Sequence, residues 1–146
     1  MMEQYLDPAC VTFDLKAATK DDAIRELAGM LAQAGYVTDA QAYADAVLYR
    51  ETIDTTGMGD GFAIPHGKSD AVTRATVAFG RTAQGYEWNS LDGAPVTDIF
   101  MLAVPIEGNA EHLQMLSTLA RKLMHQDVRE ALHDAQSVEA LYKALD

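Results

Sequence analysis

The sequence is poor in cysteine: Cys10 is the single one among 146 residues, so no intrachain disulfide can form, in keeping with a reducing compartment. Basic residues are also scarce, 11 Lys and Arg against 22 Asp and Glu, for a net charge of −11. A nucleic-acid binder needs a basic face to neutralise phosphates, and anionic membrane repels an acidic one, so both classes are argued against. A partner with a basic face suits the balance better. Missing too are long apolar runs: none approaches the roughly 20 residues that cross a bilayer. The opening stretch, MMEQYLDPACVTFDL, has neither the basic start nor the apolar centre of a signal peptide. Repeats, low-complexity tracts and linkers are absent. The expectation is one domain over residues 1–146, acting in the cytoplasm from solution, with 49% apolar residues to build its core.

What is there alternates helical and strand-like stretches. Residues 19–34 read as a helix capped by Thr19, with Ile24, Leu27 and Leu31 on one face and Gly35 as its stop. A second helix starts after Thr38 and runs to about Arg50, with Tyr43, Val47 and Arg50 on one side. Residues 55–61, TTGMGDG, carry glycine at alternate positions, which predicts neither a stable helix nor a plain strand. A short strand follows at Phe62, Ala63 and Ile64, stopped by Pro65. Residues 75–81 read as a strand, 84–95 as turns around Trp88, and 96–104 (VTDIFMLAV) as the central strand, ended by Pro105. Asn109 is placed to cap a helix to about Met124; further helices cover 127–135 and, after the Ser137 cap, the last residues. Cys10 is assigned to a short apolar strand, and Met58, Met101, Met115 and Met124 to the core. Strands bracketed by helices predict an α/β architecture, a sheet covered by helices, with one or more antiparallel pairs.

The chemistry concentrates in GMGDGFAIPHG, residues 57–67. Pro65 offers no N–H to a ladder, His66 follows at once, and Gly67 leaves room beside it, so an imidazole is presented where a buried strand ends. Glycine also lets successive N–H groups form an anion-binding nest. A neutral imidazole is nucleophilic near pH 7 without a second base, and the N–P bond it forms with phosphorus breaks readily. The alternative is a histidine satisfied by a backbone hydrogen bond, which the flanking proline and glycines disfavour. His112 would sit on the first turn of its helix, facing inward with Leu116, Leu119 and Leu123, where the helix dipole attracts anions and keeps a histidine neutral. It is then either a donor to a phosphoryl oxygen or a half-buried residue bonded to a neighbour, and periodicity weighs these equally. Arg50 offers a fork of donors that could clamp phosphate, although its position alone favours a cation at a helix C-terminus. Lys68 reads as a solvated surface lysine, and His125 and His133 receive no function.

Residues 51–67, ETIDTTGMGDGFAIPHG, resemble the phosphorylation-site signature of enzyme IIA domains of the fructose–mannitol class (type 2) in the phosphoenolpyruvate-dependent sugar phosphotransferase system. Glu51, Met58, Gly59 and the run from Phe62 to Gly67 fall on its defined positions. Phe62 stands where an aliphatic residue is usual, and Asp60 where some relatives carry a second histidine. The stretches LKAATKDDAIRELAGML, GYEWNSLDGAPVTDIFMLAVP and EHLQMLSTLARKL extend the likeness over almost the whole chain, nearest to the fructose branch. The resemblance implies a mixed, mainly parallel β-sheet flanked by helices on both sides, and no metal or organic cofactor. It implies that His66 accepts phosphoryl, on Nε2, from the phosphocarrier protein HPr and passes it to a cysteine of enzyme IIB for sugar uptake by the membrane enzyme IIC. His112 and Arg50 match positions lining the active site.

Three rivals stand beside this reading. Nitrogen-regulatory IIA proteins share fold and phosphohistidine but act by binding regulatory partners. A metal hydrolase built on His66 and His112 lacks HExxH or a compact ligand cluster. A plain interaction domain would make His66 structural.

Overall fold

The computed structural model describes residues 2–107 and 110–146, and at residues 2 and 110–113 the backbone alone. Short polar side chains start three of its α-helices. Thr19 Oγ1 accepts the Asp22 N–H at 3.3 Å and opens α1 (Lys20–Gln33). Gly35, at φ 92°, ends it: the N–H groups of Gly35 and Tyr36 return to the carbonyls of Ala32 and Leu31, a Schellman closure that needs the left-handed residue. Asp39 caps α2 (Ala40–Ile53) through the Ala42 N–H at 3.1 Å. The helix runs three residues past the expected end at Arg50, because no breaker intervenes before Asp54. Ser137 caps α5 (Val138–Leu145) as expected. Between them lie α3 (Ala110–Lys122) and α4 (Gln126–Asp134); Asn109, the expected cap of α3, is outside the described residues.

Among the described residues six strands form one mixed sheet: β1 (Val11–Thr12), β2 (Gly57–Gly59), β3 (Phe62–Ala63), β4 (His66–Ser69), β5 (Thr76–Tyr86) and β6 (Val96–Pro105). Its order is β1-β5-β6-β3-β2, with β4 also on β6. The pairings β1–β5, β3–β6 and β4–β6 are parallel; β5–β6 and β2–β3 are antiparallel. Two strand ends differ from expectation. Residues 84–86 continue β5 instead of turning, because a register shift between Arg81 and Tyr86 takes up Gly85 at φ 76° and lets Tyr86 rejoin Val96. Pro65 interrupts a strand and does not end it. Phe62 and Ala63 pair with Asp98 and Ile99, and His66 to Ser69 pair with Leu102 to Pro105 in unbroken register. Pro65, with no N–H to give, still accepts from Leu102 N at 2.9 Å.

Alternation along β6 divides the core. Ile99, Met101 and Ala103 pack with Ile24, Leu27, Tyr43 and Val47 of α1 and α2. Phe100 and Leu102 pack on the other face with Leu119, Leu132 and Leu141 of the last three helices. Cys10 is not in a strand: it ends a 3₁₀ turn (Pro8–Cys10) capped by Asp7. Its buried thiol is pushed up to about 11, first by loss of solvent and then by the Asp7 charge. Met101 and Met115 are buried as expected, whereas Met124, just past the end of α3, is 72% exposed. No helix among the described residues is long and apolar enough to cross a membrane.

Candidate functional site

His66 opens β4, and its ladder partner is Leu102. Residues paired across a ladder share a face, so the His66 side chain projects to the side covered by α3, α4 and α5. The ring is half-buried, with Nδ1 3.0 Å from the carbonyl of Ile64, two residues back. A carbonyl only accepts, so Nδ1 carries the hydrogen, and in the neutral ring the lone pair sits on Nε2. Gly67 points the other way. A Cβ there would stand 2.8 Å from Val47 Cγ2 and 3.1 Å from Val47 N. The missing side chain therefore makes room for α2 on the far face, not for a ligand beside His66.

The residues before His66 are held from α1 and α2. Glu51, with a side chain 5% exposed, is ion-paired to Lys20 Nζ at 2.9 Å and accepts the Thr56 hydroxyl on its other oxygen at 2.5 Å. Thr56 Oγ1 accepts in turn from Trp88 Nε1 at 3.0 Å, and the Thr56 carbonyl takes the Ile64 N–H at 3.1 Å. Arg50 gives Nη1 to the carbonyl of Asp54 at 2.9 Å, closing the C-terminus of α2 as a helix-end cation does. His112 falls within α3, and its side chain is outside the described residues. The structure thus bonds Ile64 to His66 directly and links Thr56 and Glu51 to it through Ile64. Lys68 is exposed on β4; His125 is exposed at the N-cap of α4 and makes no capping bond.

The glycine loop is not wrapped around His66. Residues 57–63 form a tight β2–β3 hairpin whose tip, Asp60, takes φ 54° between Gly59 and Gly61. The tip lies at the Asp98 end of β6, four residues from the level of His66, or roughly 13 Å. Its Asp60 N–H is already bonded to the Asp92 carboxylate at 2.9 Å, and that bond and one from Ala94 N hold Asp92 below the ordinary carboxylate range.

At this end stands a cluster that sequence reading missed. Asp98, buried on β6, binds Arg81 Nε and His133 Nδ1, both at 2.6 Å. His133 Nε2 is 2.8 Å from the Asp60 carbonyl and its ring lies 4.4 Å from that of Phe62. Arg81 also bonds the Leu132 and Ala135 carbonyls, and Arg129 pairs with the Asp60 carboxylate at 2.9 Å. Only the alternation of β6, with Asp98 inside an apolar strand, hinted that a buried charge awaited partners. Among the described residues no group of three His, Cys, Asp or Glu is placed to hold a metal.

The site thus presents an imidazole lone pair at the break in a strand, behind a buried acidic residue and a glycine hairpin. The family model of the phosphoenolpyruvate-dependent sugar phosphotransferase system, EIIA 2, matches residues 4–146. The chain belongs to the EIIA 2 family. Among its EIIA relatives is the fructose-specific EIIA component of Haloferax volcanii, 44% identical over 92% of this chain and 88% of that one. The crystal structure of the nitrogen regulatory protein IIA-Ntr from Neisseria meningitidis superposes with a TM-score of 0.88 at 32% identity, covering 98% and 97% of the two chains. The mannitol IIA of Escherichia coli, solved in complex with phosphorylated mannitol IIB, matches with a TM-score of 0.78 at 27% identity over 95% of each chain. The mixed sheet between two helical layers is the EIIA fold.

Proposed function

We propose that this EIIA chain is a phosphohistidine carrier with His66 as its acceptor, working in uptake of fructose or a related sugar. The observation that carries the reading is the bond from Nδ1–H to the Ile64 carbonyl, which leaves Nε2 as the nucleophile. The Nε2 lone pair forms the new N–P bond as the N–P bond of phospho-HPr breaks, and the HPr imidazole leaves with that electron pair. The ring gains positive charge, which the Ile64 carbonyl opposite Nδ1–H stabilises. In the second step a thiolate of enzyme IIB attacks phosphorus, and the electron pair returns to Nε2; the membrane enzyme IIC then moves the sugar. His112, from the first turn of α3 on the face His66 points to, supplies a donor to a phosphoryl oxygen. Arg50 clamps phosphate with donors other than the one given to Asp54. The fructose-specific relative supports the sugar, and the mannitol IIA–IIB complex supports a IIB partner.

A second reading, phosphorylation-dependent binding of regulatory partners, draws on the Neisseria IIA-Ntr likeness. One experiment addresses both: incubation with phosphoenolpyruvate, enzyme I and HPr, then peptide mass spectrometry at mildly alkaline pH. The expected result is HPr-dependent label on His66, absent in His66→Ala, slower to appear in His112→Ala, and discharged by a fructose IIB. Label that forms but never passes to IIB favours the regulatory reading. Folded protein that takes no label from active HPr overturns the carrier.

A further inference from the structure

We infer that Glu51 and Thr56 are positioning residues for His66, acting through the backbone of Ile64; the inference deepens the carrier reading and rests on it. Glu51 opens the signature segment yet lies fifteen residues before the histidine, on the last turn of α2. Its buried carboxylate is an acceptor with two demands on it, Lys20 Nζ at 2.9 Å and the Thr56 hydroxyl at 2.5 Å. By accepting the hydroxyl hydrogen, Glu51 fixes Thr56 Oγ1 as an acceptor in the other direction, where the buried Trp88 Nε1–H meets it at 3.0 Å. Thr56 is therefore held on both sides of its hydroxyl, at 6% exposure.

The consequence reaches His66 in two more bonds. The Thr56 carbonyl takes the Ile64 N–H at 3.1 Å, and the Ile64 carbonyl faces His66 Nδ1 at 3.0 Å. Ile64 and Pro65 occupy the gap in the β6 ladder, since pairing stops at Ala63 and resumes at His66. Within that gap the Ile64 N–H is aimed at Thr56, so Thr56 sets the orientation of the residue whose carbonyl selects the His66 tautomer. A carboxylate oriented by a lysine thus governs, through a hydroxyl and the backbone of Thr56 and Ile64, which ring nitrogen keeps the lone pair. A clamp serving stability alone would need no such connection to the imidazole.

The test compares Thr56→Val, which keeps the shape and removes the hydroxyl, with Thr56→Ser, which restores it, and with Glu51→Gln. Imidazole ¹⁵N shifts report the His66 tautomer without any phosphoryl donor, and HPr-dependent labelling reports the rate. Parent and Thr56→Ser are expected to show the Nδ1–H tautomer and equal rates. Folded Thr56→Val is expected to show mixed tautomers and labelling slowed about tenfold, the weight of one net hydrogen bond; Glu51→Gln should move both readouts the same way by less. If Thr56→Val does not fold, Glu51→Gln decides. The parent tautomer and rate in the folded variants overturn the inference. A parent protein that takes no label overturns the carrier reading instead, and the tautomer shifts alone then decide the positioning.

Discussion

Gly67 and His66 are neighbours in the chain and serve opposite faces of the sheet. The small residue after the histidine is required because α2 crosses so close that its own backbone, at Val47 N, would stand 3.1 Å from a Cβ. A flexible side-chain tip can yield by a few tenths of an ångström, but a helix backbone cannot without moving the helix. Gly67→Ala is therefore expected to lower stability by about 1–3 kcal/mol, the range for overpacking a close-packed core, in urea unfolding. His66→Ala, which touches neither α2 nor that core layer, should stay near the parent. Equal midpoints for Gly67→Ala and the parent would mean that α2 shifts freely. The break in the strand beside His66 was legible, because proline, histidine and glycine are contiguous and their constraints are local. The purpose of Gly67 was not, because Val47 is twenty residues upstream and only the packing of α2 reveals it.

At the scale of elements, α4 is tied to the glycine hairpin by side chains without any sequence motif. His133 on α4 reaches Asp98 on β6 and the Asp60 carbonyl at the hairpin tip, partners 35 and 73 residues away in the chain. Arg81 and Arg129 complete the tie. His133→Ala leaves Asp98 with Arg81 but removes two hydrogen bonds and the Phe62 ring contact, so a loss of about 1–3 kcal/mol is expected. The loss should be local as well as global. Amide exchange at Thr97 and Asp98, whose N–H groups bind the Gly61 carbonyl, should quicken as the hairpin loosens, while α1 keeps its protection relative to the global limit. Unchanged exchange at those two amides would show that Arg129, Asp92 and the pairing with β6 pin the hairpin without His133. This contrast explains what could be read beforehand. The caps at Thr19 and Ser137 and the apolar run of β6 are written within a few residues of where they act. The continuation of β5 past Gly85 and the resumption of pairing after Pro65 depend on β6 as a partner, and a proline or glycine in isolation reads as a stop.

For the molecule as a whole, charge is the unbalanced quantity. Even with every Lys and Arg paired, eleven acidic side chains remain without a basic counterpart, and folding brings them closer together than the extended chain holds them. That self-repulsion opposes the compact state and is screened by salt. Raising ionic strength from 0.01 M to 0.15 M shortens the Debye length from about 30 Å to about 8 Å, from the dimension of the domain to the spacing between neighbouring surface charges. The buried pair Arg81–Asp98 and the sheltered pair Lys20–Glu51 are screened little over that range, while repulsion among exposed carboxylates is cut substantially. The thermal midpoint in NaCl is therefore expected to rise between these two concentrations, before the salting effects of molar salt set in. The rise should shrink in a variant with several exposed carboxylates replaced by amides, for example at Asp21, Asp45 and Asp70, which are exposed and outside the ion pairs described above. A midpoint that falls with salt would mean that attraction among the ion pairs outweighs the net charge.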